Sequence, residues 1–547
     1  MEFAQMKHPA QSSHRGANLR IVGATIFALT AVLAGCNGDS TTDPSVELTK
    51  SLKEKVQTIV FIYAENQSFD KLYGTFPGAN GIPGVNPTAT GAYVAQKDRN
   101  GTVLPKLPQT WGGVTAAGQV PVVTQAQSDN LANKPFAIES AFGTTLSSMT
   151  ITRDLYHRFF EEQMQIGDGT SDRFAAWADS GGLVMGTFDG SQMLMWNVAK
   201  QFVLADNFFQ AAYGGSFLNH QYLICGCAPA YPNADTAAQA PTIATLDTDA
   251  NGKFLPSLTL AGTSPASAIA GPPVFVKSGN IAPKNYFGDG TFHAVNTMQP
   301  PYQPSGNAPV AGGDPALADP GKPTTLPPQT ATTIGDQLTA KGITWSWFAG
   351  AWTQASSDRS VIYNNTVPNF QAHHHPFNYY AAYAPGTAAR AAHLKDYTDF
   401  TAAAAAGTLP QVSFYKPEGD LNQHPGYASV QAGDVHIASV IAKLQASPQW
   451  NNMVIVITYD ENGGAWDHVP PPKGDLLGPG SRLPAIIVSP LAKKGTVDHT
   501  TYDTASILRL IARRFDLDPL PGIAARDAAM KAAGAPPIGD LTNALSL

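Results

Sequence analysis

Two apolar runs in this chain each end in a carboxylate beside an amide. Thr58-Ile-Val-Phe-Ile-Tyr-Ala64 is followed by Glu65-Asn66, and Met453-Val-Ile-Val-Ile-Thr-Tyr459 by Asp460-Glu461-Asn462-Gly463-Gly464. Adjacent carboxylates repel one another unless a cation or a protein donor compensates them. Oxygen donors of this kind suit a hard divalent cation and leave Ca, Mg, Mn and Fe all open. The paired glycines let the backbone come close to such a group.

A candidate nucleophile is Ser216, in Tyr213-Gly214-Gly215-Ser216-Phe217-Leu218-Asn219-His220. A glycine turn opening onto a helix start exposes a hydroxyl near helix-terminal N–H groups, a setting that suits an anion. Taken alone, the same serine reads more simply as a helix N-cap. Histidines stand at His157, in His373-His374-His375-Pro376, and in Asn422-Gln423-His424-Pro425-Gly426. Neutral imidazole ligates metal, and imidazolium donates to phosphate oxygens. A solvated loop would also explain the triple histidine, and a lone His157 is ordinarily structural.

These residues need elements to position them. The two apolar runs read as short, fully buried strands of a parallel sheet. Ligands in open α/β sheets bind beyond the carboxyl ends of such strands. Further strands are predicted at 343–348 and 484–489. Helices are predicted at 152–164, near Ser191, and at 334–341, 433–444 and 502–515. In the first of these, His157 lies opposite the apolar stripe of Leu155, Phe159 and Phe160. Alternating strands and helices predict a doubly wound α/β core. Residues near 75–130 and 228–332 read as loop-rich insertions.

The chain has 547 residues, 43% hydrophobic and 14% charged, enough for one large core. A formal net charge of -7 and the lack of a Lys/Arg run in the body argue against nucleic acid as a partner. Lys7, Arg15 and Arg20 precede an apolar stretch ending in Leu33-Ala34-Gly35-Cys36. That pattern resembles a lipoprotein signal, with residues 1–35 removed and Cys36 lipidated; an ordinary secretory signal with a chance cysteine near its cleavage site would also explain it. It predicts an exported protein, periplasmic or held at the outer membrane through the lipid, with 36–55 as a polar tether and 56–547 as one catalytic domain. Cys225 and Cys227 would then remain as a pair, either bonded or as two free thiols.

Together, Glu65-Asn-Gln-Ser-Phe-Asp70, Asp460-Glu-Asn-Gly-Gly464 with Asp467-His468, and Gly480-Ser-Arg-Leu-Pro-Ala-Ile-Ile-Val-Ser-Pro490 resemble the bacterial phosphoesterase family. That family joins phosphatidylcholine-type phospholipases C with acid phosphatases. The Gly-Gly-Ser-Phe-Leu-Asn-His and His-His-x-Pro-Phe segments look more like the acid phosphatase branch. The resemblance implies an alkaline-phosphatase-like three-layer sandwich with a mostly parallel central sheet. It implies one divalent metal ion held by Glu65, Asn66, Asp460 and Glu461. It also implies Ser216 as the nucleophile that takes the phosphoryl group, with His157, His373, His374 and His424 around the phosphate. The expected substrate is a small phosphate monoester, hydrolysed with an acid optimum if the histidines act as imidazolium donors. Two alternatives remain, a phospholipase C and a non-catalytic surface-binding lipoprotein.

Overall fold

The computed structural model describes residues 43–547; the expected signal peptide and Cys36 lie outside them. The core is a nine-stranded sheet built from β1 (Thr58–Ala64), β2 (Val203–Phe209), β3 (Trp345–Ala349), β4 (Leu394–Asp396), β5 (Val412–Lys416), β6 (Met453–Tyr459), β7 (Arg482–Val488), β8 (Thr496–Asp498) and β9 (Tyr502–Asp503). Their order is β4-β3-β5-β1-β6-β7-β2-β8, with β9 also beside β2. Every pairing is parallel except those of β7, which runs antiparallel to β6 and β2. The architecture is therefore mixed α/β around a large, mostly parallel sheet.

Strands β1, β6 and β7 are buried along their whole length. That burial requires cover on both faces, and it explains why these runs are continuously apolar rather than alternating. The helices that matter for the site are α1 (Pro44–Lys55), α2 (Phe69–Tyr73), α3 (Phe159–Ile166), α4 (Leu194–Gln201), α5 (Ser216–Cys225), α6 (Ile334–Ala340), α7 (Val430–Gln445) and α8 (Ala505–Phe515). Helix α8 packs against α1 and α5, and α4 packs against α7.

Three expectations need correction. The segment expected as a tether is helical from Pro44: Asp43 caps it, Leu52 is buried, and Arg513 on α8 donates to Thr49 Oγ1 at 2.9 Å. The helix expected over 152–164 starts only at Phe159, whose N–H is taken by Asn296 Oδ1 at 2.9 Å. Thr152 instead bridges Thr115, so His157 lies on an irregular segment that enters α3. The helix expected from 502 begins at Ala505, because Tyr502 and Asp503 pair with β2.

The insertions carry no strand of the main sheet and hold only short ribbons and 3-10 turns. Cys225 and Cys227, at the end of α5, are joined by a disulfide.

Candidate active site

Strands β1 and β6 run in parallel register with Ala64 opposite Tyr459. Glu65 and Asp460 therefore leave the sheet side by side, and Lys416 at the end of β5 emerges next to them. Asn66 takes a left-handed backbone conformation, φ 62°, and its N–H donates to Asp460 Oδ1 at 3.2 Å. Lys416 Nζ ion-pairs with Glu65 Oε1 and donates to Tyr63 O at 3.0 Å.

Ser216 arrives from the end of β2. The intervening loop is held by Asn219, whose Oδ1 accepts from Ala212 N at 3.0 Å. It is held also by Glu162 of α3, which accepts from Gly214 N, from Gln210 Nε2 at 2.8 Å and from Ser481 Oγ at 2.7 Å. Burial lifts Glu162 to about 7 despite these donors. Gly215, not Ser216, occupies the cap position of α5, so the serine hydroxyl is free of the capping role. Instead Oγ donates to Glu65 Oε2 at 2.9 Å, with Glu461 Oε1 at 3.4 Å and Asn66 Oδ1 at 3.5 Å.

Glu65, Asp460 and Glu461 are fully buried. Burial raises the pKa of Glu65 and Glu461, and the charge of Asp460 raises both further. Lys416 is the one lysine or arginine among the described residues that ion-pairs with this group, which leaves a deficit of positive charge. Asp460 Oδ2 and His220 Nε2 are buried without a hydrogen-bond partner. A converging set of carboxylates, an amide oxygen and a hydroxyl with an orphaned acceptor fits a hard divalent cation. Glu65, Asp460 and His220 also lie close enough together to share one ion.

The histidines are placed unequally. His157 Nε2 lies 3.7 Å from Glu461 Oε1, and its ring meets the edge of His424. His424 Nε2 accepts from Asn66 Nδ2 at 3.0 Å. His374 Nε2 lies 3.4 Å from Glu65 Oε2. The ring of His373 stands edge-on to His374 with 4.2 Å between centroids, and its Nδ1 meets the Tyr363 hydroxyl at 3.0 Å. His375 turns away and stacks on Trp352. Burial lowers His373 to about 3 and His424 to about 4, and holds His374 well below its ordinary value. Neutral imidazoles are thus favoured where the sequence reading expected imidazolium.

Sequence reasoning missed Lys416, His220 and Tyr363. His220 sits one helical turn after Ser216 and donates from Nδ1 to Ser216 O at 2.7 Å; the i, i+4 spacing carried that signal. Lys416 is a single cation closing an apolar strand, a weaker signal. Tyr363 sits in an irregular loop with no local signature.

Asp467 and His468 belong to a separate cluster behind the site. Arg482 donates to Asp467 Oδ1 at 2.9 Å and Asp70 Oδ1 at 3.0 Å, and His468 N donates to Asp70 Oδ2 at 2.8 Å. Asp70, Asp467 and His468 lie close enough to share an ion, but the guanidinium already supplies the positive charge there. The cluster ties α2, just after the acidic end of β1, to the loop after the end of β6.

A buried serine ringed by carboxylates and histidines thus stands at the carboxyl edge of a mixed α/β sheet. The Phosphoesterase family model matches residues 56–518, and the chain belongs to that family. It is 29% identical over 235 residues to "Phospholipase C B" of Mycobacterium tuberculosis, covering 38% of this chain and 42% of that protein. It is 30% identical over 210 residues to "Non-hemolytic phospholipase C" of Burkholderia pseudomallei, covering 34% and 29%. The chain thus matches less than half the length of these relatives. Among solved structures, an alkaline phosphatase superfamily protein of Vibrio parahaemolyticus aligns with a TM-score of 0.30 and 7% identity, covering 63% of this chain and 65% of that one.

Proposed function

We propose that the protein hydrolyses phosphate monoesters through a phosphoserine on Ser216, with one divalent ion held by Glu65, Asn66, Asp460 and Glu461. The observation that carries this reading is the Ser216 hydroxyl 2.9 Å from Glu65 and within 3.5 Å of Asn66 and Glu461. Ser216 Oγ attacks phosphorus, the bond to the leaving alcohol breaks, and water later cleaves the phosphoserine. The hydroxyl proton passes into the surrounding carboxylate group. A bound divalent ion supplies neutralisation of phosphate charge and acidifies the hydroxyl. His157, whose Nε2 lies 3.7 Å from Glu461 Oε1, takes that hydroxyl proton on its free Nε2 and passes it to the leaving alkoxide. Burial keeps His373 and His424 neutral, so the acid optimum expected from imidazolium has no support in these two residues. Export and anchoring through Cys36 rest on the sequence pattern of residues 1–36.

Phospholipase C activity on phosphodiester lipids is the second reading, favoured by the names of the relatives. The test compares rates on p-nitrophenyl phosphate and on dispersed phosphatidylcholine, for wild type and Ser216→Ala, each with and without chelator. A chelator-sensitive rate on the aryl phosphate that exceeds the lipid rate and vanishes in Ser216→Ala supports the monoesterase. A higher lipid rate transfers the proposal to the phospholipase, and an unaffected Ser216→Ala refutes the phosphoserine.

A further inference from the structure

The site histidines differ in where their Nδ1 points. His157 Nδ1 meets Leu155 O, His424 Nδ1 meets Pro425 O, and His220 Nδ1 meets Ser216 O. A carbonyl only accepts, so each of these nitrogens carries the ring proton and each neutral Nε2 is left with a lone pair. His373 is the exception, because its Nδ1 faces a hydroxyl, which can donate or accept.

The hydroxyl of Tyr363 has a second partner that restricts this choice. Gln299 Nε2 donates to it at 2.9 Å, while Gln299 Oε1 accepts from Gly306 N at 2.9 Å. Gln299 Oε1, 3.1 Å from the hydroxyl, competes for the tyrosine proton, but the Gly306 N–H already occupies one of its lone pairs. A neutral imidazole nitrogen is a stronger acceptor than an amide oxygen, and at 3.0 Å His373 Nδ1 is the nearer one, which directs the tyrosine proton to it. The chain is rigidly built. Gln299 N donates to Thr324 O at 2.7 Å, and Leu326 N donates back to Gln299 O at 2.9 Å. Arg359 Nη1 pins Ser305 O at 2.8 Å. A Cβ on Gly306 would lie 2.6 Å from Gln299 Oε1 and 2.8 Å from the Tyr363 ring. Tyr363 itself is held at φ 54°, a conformation that a bulky residue adopts only when its surroundings impose it.

We propose that Gly306, Gln299 and Tyr363 form a hydrogen-bond relay that fixes His373 in its Nε2–H tautomer. Tyr363 and Gln299 are positioning residues. They give the site a neutral N–H donor for a phosphoryl oxygen, which the lone-pair Nε2 atoms of His157 and His424 do not offer without an added proton. This role rests on the phosphoesterase function proposed above. It also assigns work to the insertion carrying Gln299, which contributes no strand to the main sheet.

The experiment is a two-bond 1H–15N correlation spectrum of the 15N-histidine-labelled full chain, with His373 assigned by its loss in His373→Asn. The same proteins are assayed for kcat and KM. Wild type should show the Nε2–H pattern at His373. Tyr363→Phe should lose that bias and lower kcat about 10- to 100-fold, as outer partners of site histidines commonly do, with KM changed far less. Gln299→Glu is the sharper variant. Its carboxylate accepts from Gly306 N and from the tyrosine hydroxyl, so every group stays bonded while the tautomer inverts to Nδ1–H. A purely structural role predicts near-wild-type kcat for Gln299→Glu; the relay predicts a loss like that of Tyr363→Phe. An Nδ1–H pattern in wild type, or Gln299→Glu at full kcat, overturns the proposal. The spectrum is read without turnover, so an inactive wild type would count against the proposed function and not against the tautomer.

Discussion

Replacing Gly463 by alanine probes how tightly the two acidic strand ends are joined. Gly463 has φ 62°, and a Cβ there would lie 2.5 Å from Asn66 O and 2.7 Å from Asn66 Cβ. The left-handed backbone costs an L-residue about 1–2 kcal/mol. Forcing backbone and side chain apart adds about 1–3 kcal/mol. Together that is roughly 2–5 kcal/mol, and the displaced group is Asn66 itself. Gly252 supplies the control, with φ 77° and nothing within 4 Å of an added Cβ, so Gly252→Ala should carry only the backbone cost. The assay is thermal melting with kcat on p-nitrophenyl phosphate. Gly463→Ala should melt below Gly252→Ala and lose about 100-fold in kcat, the scale of an ångström-sized misplacement. Equal melting of the two variants, with full activity in Gly463→Ala, would refute the close approach as the reason for this glycine.

Other outcomes are expected. Arg482→Met strands the buried Asp70 and Asp467 and should destabilise the fold by about 3–5 kcal/mol, read as a lower melting temperature; unchanged melting would show that the cluster does not clamp the loops. His373 and His424 sit well below the ordinary 6.5, so below pH 6.5 the unfolded chain takes up their protons first. Their contribution to stability is full above pH 6.5 and falls as pH drops toward about 4 and then about 3; melting of the chelated protein across pH 3–8 checks this, and flat stability there contradicts it. Adding divalent cation to chelated protein should raise the melting temperature with concentration, an effect that Glu461→Gln should weaken.

The two acidic strand ends were legible because buried parallel strands leave a strong local trace, continuous β-branched residues ending abruptly in polar groups. Ser216 was legible as a helix start and as a candidate nucleophile, although its local sequence alone reads more simply as a cap. The structure gives the cap position to Gly215 and sets the serine hydroxyl beside Glu65, a residue 151 positions away, which no local pattern encodes. His157 was assigned to a helix that in fact starts only at Phe159, since the apolar spacing of Leu155 with Phe159 and Phe160 extends the helical pattern back over an irregular segment. The N-terminal segment looked like a tether because polar composition hides a helix whose anchors, Leu52 and the contact from Arg513, are few. Tyr363 and Gln299 were invisible, since a loop residue's partners depend on long-range closure that no periodicity encodes.

Trapping the reaction on Ser216 is the most direct check. Enzyme mixed with excess aryl phosphate and metal, then quenched in acid, should gain the mass of one phosphoryl group on the peptide bearing Ser216, and Ser216→Ala should neither gain it nor turn over. Sustained turnover by Ser216→Ala, or rapid wild-type turnover with no serine-bound phosphoryl group at any quench time, would contradict a serine nucleophile at this site.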